Sequence, residues 1–228
     1  MTNIIVTGTG RSYTSLTMFM LEKMGVPVAR DHWVDNAYGE VNPVGLYELE
    51  THSVYGLMTD RHEGKAVKLI LGGFFPNKTN NYTGTPANFL RDSRILLCLR
   101  KPLEIAYSAY RLYPHTGFGP AYPLYEIGSF LIGLQDNMWL CDNITVLDTD
   151  LYFNSFYTAM RVLTDFANKS LSAPLFEELQ KSVKPKIKAP ESWPEEHKEL
   201  GRLVDKIYEV LLKKDFASAI SMIKEVYG

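Results

Sequence analysis

Two short segments combine small, hydroxyl-bearing and cationic residues in a pattern that suits phosphate binding. The first runs from Gly8 to Ser15 and reads Gly-Thr-Gly-Arg-Ser-Tyr-Thr-Ser. The second begins with Arg100-Lys101-Pro102 and includes Ser108, eight residues after the arginine. Each starts where an apolar run ends and a helical pattern begins, so amides, hydroxyls and a guanidinium can converge on an anion. We therefore predict a group-transfer enzyme whose nucleotide carries two separate phosphate groups.

The first segment has the placement of a phosphate-binding loop but lacks the triphosphatase pattern. An apolar strand, Ile4–Val6, leads into glycines and then into a hydroxyl-rich helix start. Counting from Gly8 in G-x-x-x-x-G-K-[ST], Tyr13 stands where the second glycine belongs and Thr14 where the lysine belongs. This disfavours a triphosphate-Mg²⁺ site. Arg11 is then the cation that can reach a transferring group, the alternative being a glycine turn with an exposed arginine.

The second segment follows a buried strand, Ile95–Leu99, which breaks at Arg100. Pro102 suits the first position of a helix, so Ser108 falls about two turns in. One phosphate can then be held between the Arg100 guanidinium and the Ser108 hydroxyl.

The apolar periodicity predicts an α/β fold with a three-layer α/β/α arrangement and a central parallel sheet. Strands are expected at Ile4–Thr7, Val67–Leu71, Ile95–Leu99 and Ile144–Leu147. Helices are expected at about Ser15–Met24, Pro86–Arg91, Leu103–Leu112, Leu124–Leu140 and Phe153–Ala167. Ligands of such sheets bind beyond the carboxyl ends of the strands.

The chain is expected to form a single domain over residues 1–228, with a nucleotide-binding core at 1–170 and a helical extension at 171–228. Residues 184–190 are basic and proline-punctuated, so they cannot form a regular helix. Ser192–Glu195 offers a capping box for a helix to about Lys213, and Asp215–Tyr227 reads as a last helix. The linker at 184–190 either packs with them on the sheet's flank or closes over a bound nucleotide.

Composition narrows the classes of partner. A net charge of -2 and a pI of about 6.2 argue against a nucleic-acid binder. Residues 61–115 nevertheless hold nine Lys or Arg against three acids, which suits a small polyanion unless these are solvated surface charges. A count of two cysteines argues against a disulfide framework and against a cysteine metal site, and no export signal or membrane span is seen. We expect a cytoplasmic protein with no membrane partner.

Four stretches resemble the sulfotransferases that use 3'-phosphoadenosine 5'-phosphosulfate (PAPS), whose fold is P-loop-like, and the likeness covers roughly residues 3–168. Gly10–Leu16 resembles that family's 5'-phosphosulfate loop, commonly P-[KR]-S-G-T-[ST]-[LW], and Leu99–Ser108 resembles its 3'-phosphate motif. Asn42–Glu48 is similar to N-P-x-G-[FY]-[FY]-E, and Val146–Leu151 with the helix after it resembles a Y-E-D-L element. The departures are Gly10 for proline, Tyr13 for glycine, and the absence of the glycine-rich basic motif of animal cytosolic members.

The resemblance implies PAPS as co-substrate, with no metal. It implies that the 5'-phosphosulfate is bound by the loop residues Gly10, Arg11, Ser12, Tyr13, Thr14 and Ser15, with Arg11 stabilising the leaving group. It implies that Arg100 and Ser108 bind the 3'-phosphate. Lys68 matches a lysine that many members carry near the sulfuryl group, a solvated strand-edge lysine being the alternative.

Family members use a histidine or a glutamate as base, and the candidates are Glu48, His52, His32 and His115, of which Glu48 lies in a matched stretch. Acceptor contacts are expected at Gly72–Lys78, with aromatic side chains lining the pocket unless they belong to the core. Those aromatics are Phe74, Phe75, Tyr107, Tyr110, Tyr113 and Phe118.

The leading interpretation is a sulfotransferase that moves a sulfuryl group from PAPS to a hydroxyl or amine of a small molecule or sugar. One alternative is a non-catalytic protein that binds adenosine bisphosphate. The other is a P-loop kinase, which the missing loop lysine disfavours.

Overall fold

The computed structural model describes residues 3–29, 47, 62, 64–75 and 87–227. Its strands are β1 (Asn3–Gly8), β2 (Ala66–Ile70), β3 (Ser93–Leu99) and β4 (Ile144–Asp148). Its first helices are α1 (Thr14–Lys23), α2 (Ala87–Arg91), α3 (Pro102–Leu112) and α4 (Ala121–Gln135). They are followed by α5 (Leu151–Asn154), α6 (Phe156–Ala167), α7 (Ala173–Ser182), α8 (Lys198–Leu212) and α9 (Phe216–Tyr227).

The four strands form one parallel sheet in the order β2-β1-β3-β4. Gly8 at the end of β1 is in register with Ile70 of β2 and with Cys98 of β3. The chain passes from β1 to β2 on one side and then to β3 on the other. The carboxyl ends of β1 and β3 therefore flank a topological switch point, the place where open α/β sheets bind ligands.

Helices cover both faces of the sheet because alternate strand residues point to opposite sides. Ile5, Val67 and Leu97 belong to one apolar cluster, which α4, α8 and α9 complete. Val6 and Leu96 belong to the other, which α1, α6 and α7 complete. This confirms the predicted α/β class and its three layers.

Some helix boundaries differ from the expectation. The helix expected over Leu124–Leu140 ends at Gln135, and a 3₁₀ turn then covers Met138–Asn143. The helix expected over Phe153–Ala167 is interrupted at Ser155, whose non-helical backbone, with a φ of -156° and a ψ of 71°, separates α5 from α6.

The capping box expected at Ser192–Glu195 is wrong, because the extended backbone of Pro194 delays the helix until Lys198. Trp193 instead anchors this turn by donating from Nε1 to the Asp205 carboxylate at 2.9 Å. Helix α7 was not anticipated, although Ser172 caps it by accepting from the Leu175 amide at 3.4 Å. In the described part of the chain, no helix has the length and apolarity to cross a bilayer.

Candidate active site

The loop after β1 is a compact turn that requires its first glycine. A Cβ at Gly8 would collide with the Ser12 hydroxyl and the Cys98 carbonyl. Ser12 is buried, and its hydroxyl donates to the Thr9 carbonyl at 2.7 Å while its amide donates to the same oxygen at 3.1 Å. These bonds fold the loop back on itself at the carboxyl edge of the sheet.

Two residues of this loop have left-handed backbones without being glycine. Arg11 has a φ of 73° and Tyr13 a φ of 62°. Each such conformation costs on the order of 1–3 kcal/mol and is common at ligand sites. Left-handed residues within a turn aim successive amides into a concavity that binds anions, and α1, with no acid in its first turn, begins directly after Tyr13.

The two predicted phosphate segments meet in the fold. Arg100 Nη1 donates to the Arg11 carbonyl at 2.9 Å, and Arg11 Nε donates to Ser108 Oγ at 3.2 Å. Residues 89 and 97 positions apart in the sequence thus share the crevice at the switch point. The structure confirms their proximity, and their roles toward a nucleotide stay a prediction.

The Arg100 side chain is buried, with only 5% of its surface exposed, and several groups contact it. Nε donates to Glu104 Oε2 at 3.1 Å, and the guanidinium carbon lies 4.5 Å from the centroid of the Tyr13 ring. That ring in turn packs on Phe153 of α5 at a centroid distance of 5.2 Å. Tyr13, which departs from the sulfotransferase loop pattern, therefore packs between Phe153 and the Arg100 guanidinium and supports the Arg100 side chain.

The proline-punctuated linker reaches the same place, so it contacts the candidate site. Lys186 Nζ lies 2.7 Å from Glu104 Oε1 and 2.7 Å from Asp150 Oδ1. Burial lowers the pKa of Lys186, but the hydrogen bonds to Asp150 and Glu104 outweigh it and raise that pKa overall. Lys186 thereby neutralises carboxylates that would otherwise repel an anion beside Arg100.

Lys68 projects from β2 toward the start of α1. Its ammonium donates to Ser15 Oγ at 3.1 Å, and the residue is 5% exposed. The alternative of a solvated strand-edge lysine is therefore wrong. The ammonium stands beside a hydroxyl that we expect to bind the 5'-phosphosulfate.

Arg100 lies close enough to Arg11 to lower the pKa of the Arg11 guanidinium. Desolvation lowers the pKa of Arg11, and the positive charge of Arg100 lowers it further. Like charges held together in this way are relieved by an anion bound between them.

A buried acid, Glu126 of α4, also reaches the loop, and sequence reasoning missed it. The Gly10 amide donates to Glu126 Oε2 at 2.7 Å, and Tyr122, one turn earlier, hydrogen-bonds the same carboxyl group. Burial raises the pKa of Glu126 to about 7, although both of these hydrogen bonds act in the opposite direction. A Cβ at Gly10 would collide with the Tyr122 hydroxyl. The available signal was an acid inside the apolar helical run Pro123–Phe130.

The expected acceptor aromatics divide into two groups. Phe74 and Phe75 pack with Phe130 in the core at centroid distances of 5.3 and 5.7 Å, so for these two residues the alternative of a core position holds. Tyr107 and Tyr110 instead contact Phe118, whose ring stacks on Trp193 at 6.2 Å.

His115 is exposed on a 3₁₀ turn after α3 and lies against the Tyr113 ring, with centroids 6.2 Å apart. The other base candidates, Glu48, His52 and His32, lie outside the described residues, as does 76–78 of the expected acceptor segment. Over the ranges that the structure describes, no cluster of three or more His, Cys, Asp or Glu is placed to hold a metal ion.

No protein-family profile matches the chain, and neither does any curated protein. Two of the similar solved structures are of retinol dehydratase, one in a complex with retinol and PAP and one in complex with androsterone and inactive cofactor PAP. This chain resembles both in fold. Each is 15% identical in sequence, with TM-scores of 0.47 and 0.46. The match covers 78% of this chain but 63% of each retinol dehydratase chain.

Proposed function

We propose that this chain is a PAPS-dependent sulfotransferase that transfers the sulfuryl group to a hydroxyl or amine of a small molecule or sugar. The observation that carries the proposal is the convergence of Arg11, Arg100 and Ser108 at the switch point of the sheet. A nucleotide with phosphates at two positions needs two separate cationic sites in one crevice, which these residues can supply.

The donor set in the crevice fits such a nucleotide. Guanidinium, ammonium and hydroxyl groups converge there, and the acids Glu104 and Asp150 are paired with Lys186. In the proposed complex, Arg100 and Ser108 hold the 3'-phosphate. The loop from Gly10 to Ser15, together with Lys68, holds the 5'-phosphosulfate.

Sulfuryl transfer is an in-line displacement in which negative charge builds on the oxygen that stays with the adenosine bisphosphate. Arg11 is the cation of the loop and is therefore the residue that we assign to stabilise this oxygen. Lys68, beside Ser15, adds positive charge at the same end of the crevice. The acceptor must lose a proton, and the resemblance to the family motif implies that Glu48 is the base that takes it.

Calorimetry with adenosine 3',5'-bisphosphate (PAP), PAPS and ATP-Mg²⁺, followed by a sulfate-release assay, tests this function. We expect PAP and PAPS to bind and PAPS to turn over. Binding of ATP-Mg²⁺ alone would reject the proposal in favour of a kinase. Binding of PAP without sulfate release from PAPS would favour a non-catalytic bisphosphate-binding protein.

Variants of Arg100 sharpen the test. Arg100→Ala should weaken PAP binding by about 1.5–3 kcal/mol, or roughly 10- to 150-fold in Kd, because it removes charged hydrogen bonds to the 3'-phosphate. The matched control is Arg91→Ala, which removes an equal charge from the exposed end of α2, near the amino edge of the sheet. Equal PAP affinity in both variants would contradict the role of Arg100.

A further inference from the structure

We propose that Glu126 is the base that takes the proton of the acceptor group in this transfer. The assignment rests on the proposed function and deepens it, because the family motif points to Glu48 instead. It places the proton acceptor on α4, a rigid helix of the core, where a reacting group can be held accurately.

Glu126 contacts two elements of the proposed reaction site, the loop after β1 and the turn after β2. Its Oε2 accepts from the Gly10 amide at 2.7 Å, so the carboxylate touches the loop expected to hold the phosphosulfate. On the other side, its Cγ lies 3.7 Å from the position that a Cβ would take on Gly72. Gly72 follows β2 and opens the segment where acceptor contacts are expected. The carboxyl group therefore borders both the loop expected to hold the donor and the start of the segment expected to contact the acceptor.

The neighbours of Glu126 orient the carboxylate without filling its accepting capacity. The Gly10 amide and the Tyr122 hydroxyl are both donors to it. An ionised carboxylate offers about four lone-pair positions, so two such donors leave room for the proton of a substrate hydroxyl. The residue is 7% exposed, which restricts its contact with bulk water.

Among the described residues, few charged groups lie close to this carboxylate. Tyr122 and Tyr125 lie beside it on α4, and the positive charge of Arg11 acts on the Tyr122 hydroxyl from the loop. The Leu71–Gly73 turn carries no titratable side chain, and Tyr227 of α9 lies over Gly128, two residues further along α4. Desolvation thus dominates and brings the pKa of Glu126 to about 7, a strength suited to a base at neutral pH.

The proposed step is balanced as follows. The acceptor oxygen or nitrogen attacks sulfur, and a new bond to sulfur forms as the bond between sulfur and the 5'-phosphate oxygen breaks. That bond's electron pair leaves on the phosphate oxygen of PAP, which Arg11 stabilises. The acceptor's proton passes to the Glu126 carboxylate and then to solvent. Water can serve as the acceptor, in which case the product is free sulfate.

Sulfate release from PAPS to water tests the proposal without an identified acceptor. We compare the wild type with Glu126→Gln and Glu48→Gln, and measure PAP affinity of each by calorimetry. Glutamine keeps the shape of the side chain and can accept from the Gly10 amide, but it cannot take a proton. We expect Glu126→Gln to bind PAP within about threefold of the wild type and to release sulfate at least about 100-fold more slowly.

A pH series separates a base from a structural residue. Wild-type kcat/KM should rise with pH and level off above about 7, because the carboxylate must be ionised to accept a proton. Tyr122→Phe removes a donor that stabilises the ionised form, so the midpoint of this rise should move up by about one pH unit. Glu126→Gln should lose the rise.

Sulfate release by Glu126→Gln within threefold of the wild type, or a midpoint unmoved in Tyr122→Phe, would overturn the proposal. Loss of activity in Glu48→Gln with none in Glu126→Gln would assign the base to Glu48. These failures leave the sulfotransferase function intact. A wild-type protein that neither binds PAP nor releases sulfate would instead refute the function itself.

Discussion

Tyr13 occupies a loop position where the sulfotransferase pattern that this loop resembles has glycine, and we predict that introducing a glycine there destabilises this protein. The residue has a left-handed backbone, which glycine adopts without strain. Its ring, however, lies over the Arg100 guanidinium at 4.5 Å and against Phe153 at 5.2 Å. Tyr13→Gly relieves the strain of the left-handed backbone and removes both ring contacts.

The magnitude follows from these contacts. Losing the cation–π contact costs about 0.5–1 kcal/mol, losing the aromatic pair about 0.5–1.5, and re-exposing a partly buried side chain about 1. Relief of the left-handed backbone returns about 1 kcal/mol, but the added freedom of glycine in the unfolded chain removes about 0.5–1 of that. The net expectation is a loss of about 2–3 kcal/mol in the free energy of unfolding.

Urea unfolding measures this loss. With an m-value of about 2 kcal/mol/M, the midpoint of Tyr13→Gly should fall by about 1 M. Tyr13→Phe keeps the ring and should stay close to the wild type. Lys214→Gly is the matched control for backbone strain, because Lys214 is exposed after α8 and has a φ of 58°. It should be neutral or slightly stabilising. A midpoint for Tyr13→Gly at or above that of the wild type would refute the reasoning.

Three further predictions concern the surroundings of the loop. Gly10→Ala should lower the free energy of unfolding by about 1–3 kcal/mol, because the new methyl group collides with the Tyr122 hydroxyl. In the double variant, Tyr122→Phe should recover about 1 kcal/mol of this loss in urea unfolding. Strictly additive effects of the two substitutions would disprove the collision. The pKa of Glu126 is about 7 in the folded protein against an ordinary 4.5, so the folded protein loses stability as the pH rises through this range. Between pH 4.5 and pH 8, the free energy of unfolding of Glu126→Gln should therefore rise by about 3 kcal/mol relative to that of the wild type. A difference between the two proteins that stays constant with pH would contradict the raised pKa. Lys186→Met leaves two carboxylates without their shared cation, so we expect a loss of about 2 kcal/mol in urea unfolding at pH 7, and a stability equal to that of the wild type would argue against the ion pairs.

The layers and strands could be predicted because their signals are local. Four short apolar runs become the four described strands within one or two residues, since burial on both faces of a parallel sheet demands continuous apolar sequence. The meeting of the two phosphate segments could also be anticipated, because both follow parallel strands and such strands end at one edge. The interruption at Ser155 and the late start of α8 depend on single backbone angles, which periodicity does not encode.

Much of the site's support could not be anticipated, because it comes from distant parts of the chain. Lys186 is 36 residues from Asp150, and Glu126 is 116 residues from Gly10. No fixed sequence spacing links such pairs. In the sequence alone, Lys186 resembles a surface charge, and Glu126 resembles an irregularity in an apolar helix. The tertiary fold brings them together at the switch point, where Lys186 neutralises acids and Glu126 engages the loop.

The two departures from the family's loop pattern each have a structural counterpart elsewhere in this chain. Glycine in place of proline at position 10 supplies an amide that Glu126 accepts and leaves room for the Tyr122 hydroxyl. Tyrosine in place of glycine at position 13 supplies a ring that packs between Arg100 and Phe153. A proline at 10 would remove the amide, and a glycine at 13 would remove the ring. Proline at 10 and glycine at 13, the residues of the sulfotransferase pattern, are therefore unfavourable in this chain, because side chains from α4 and α5 support a loop that contains two left-handed residues.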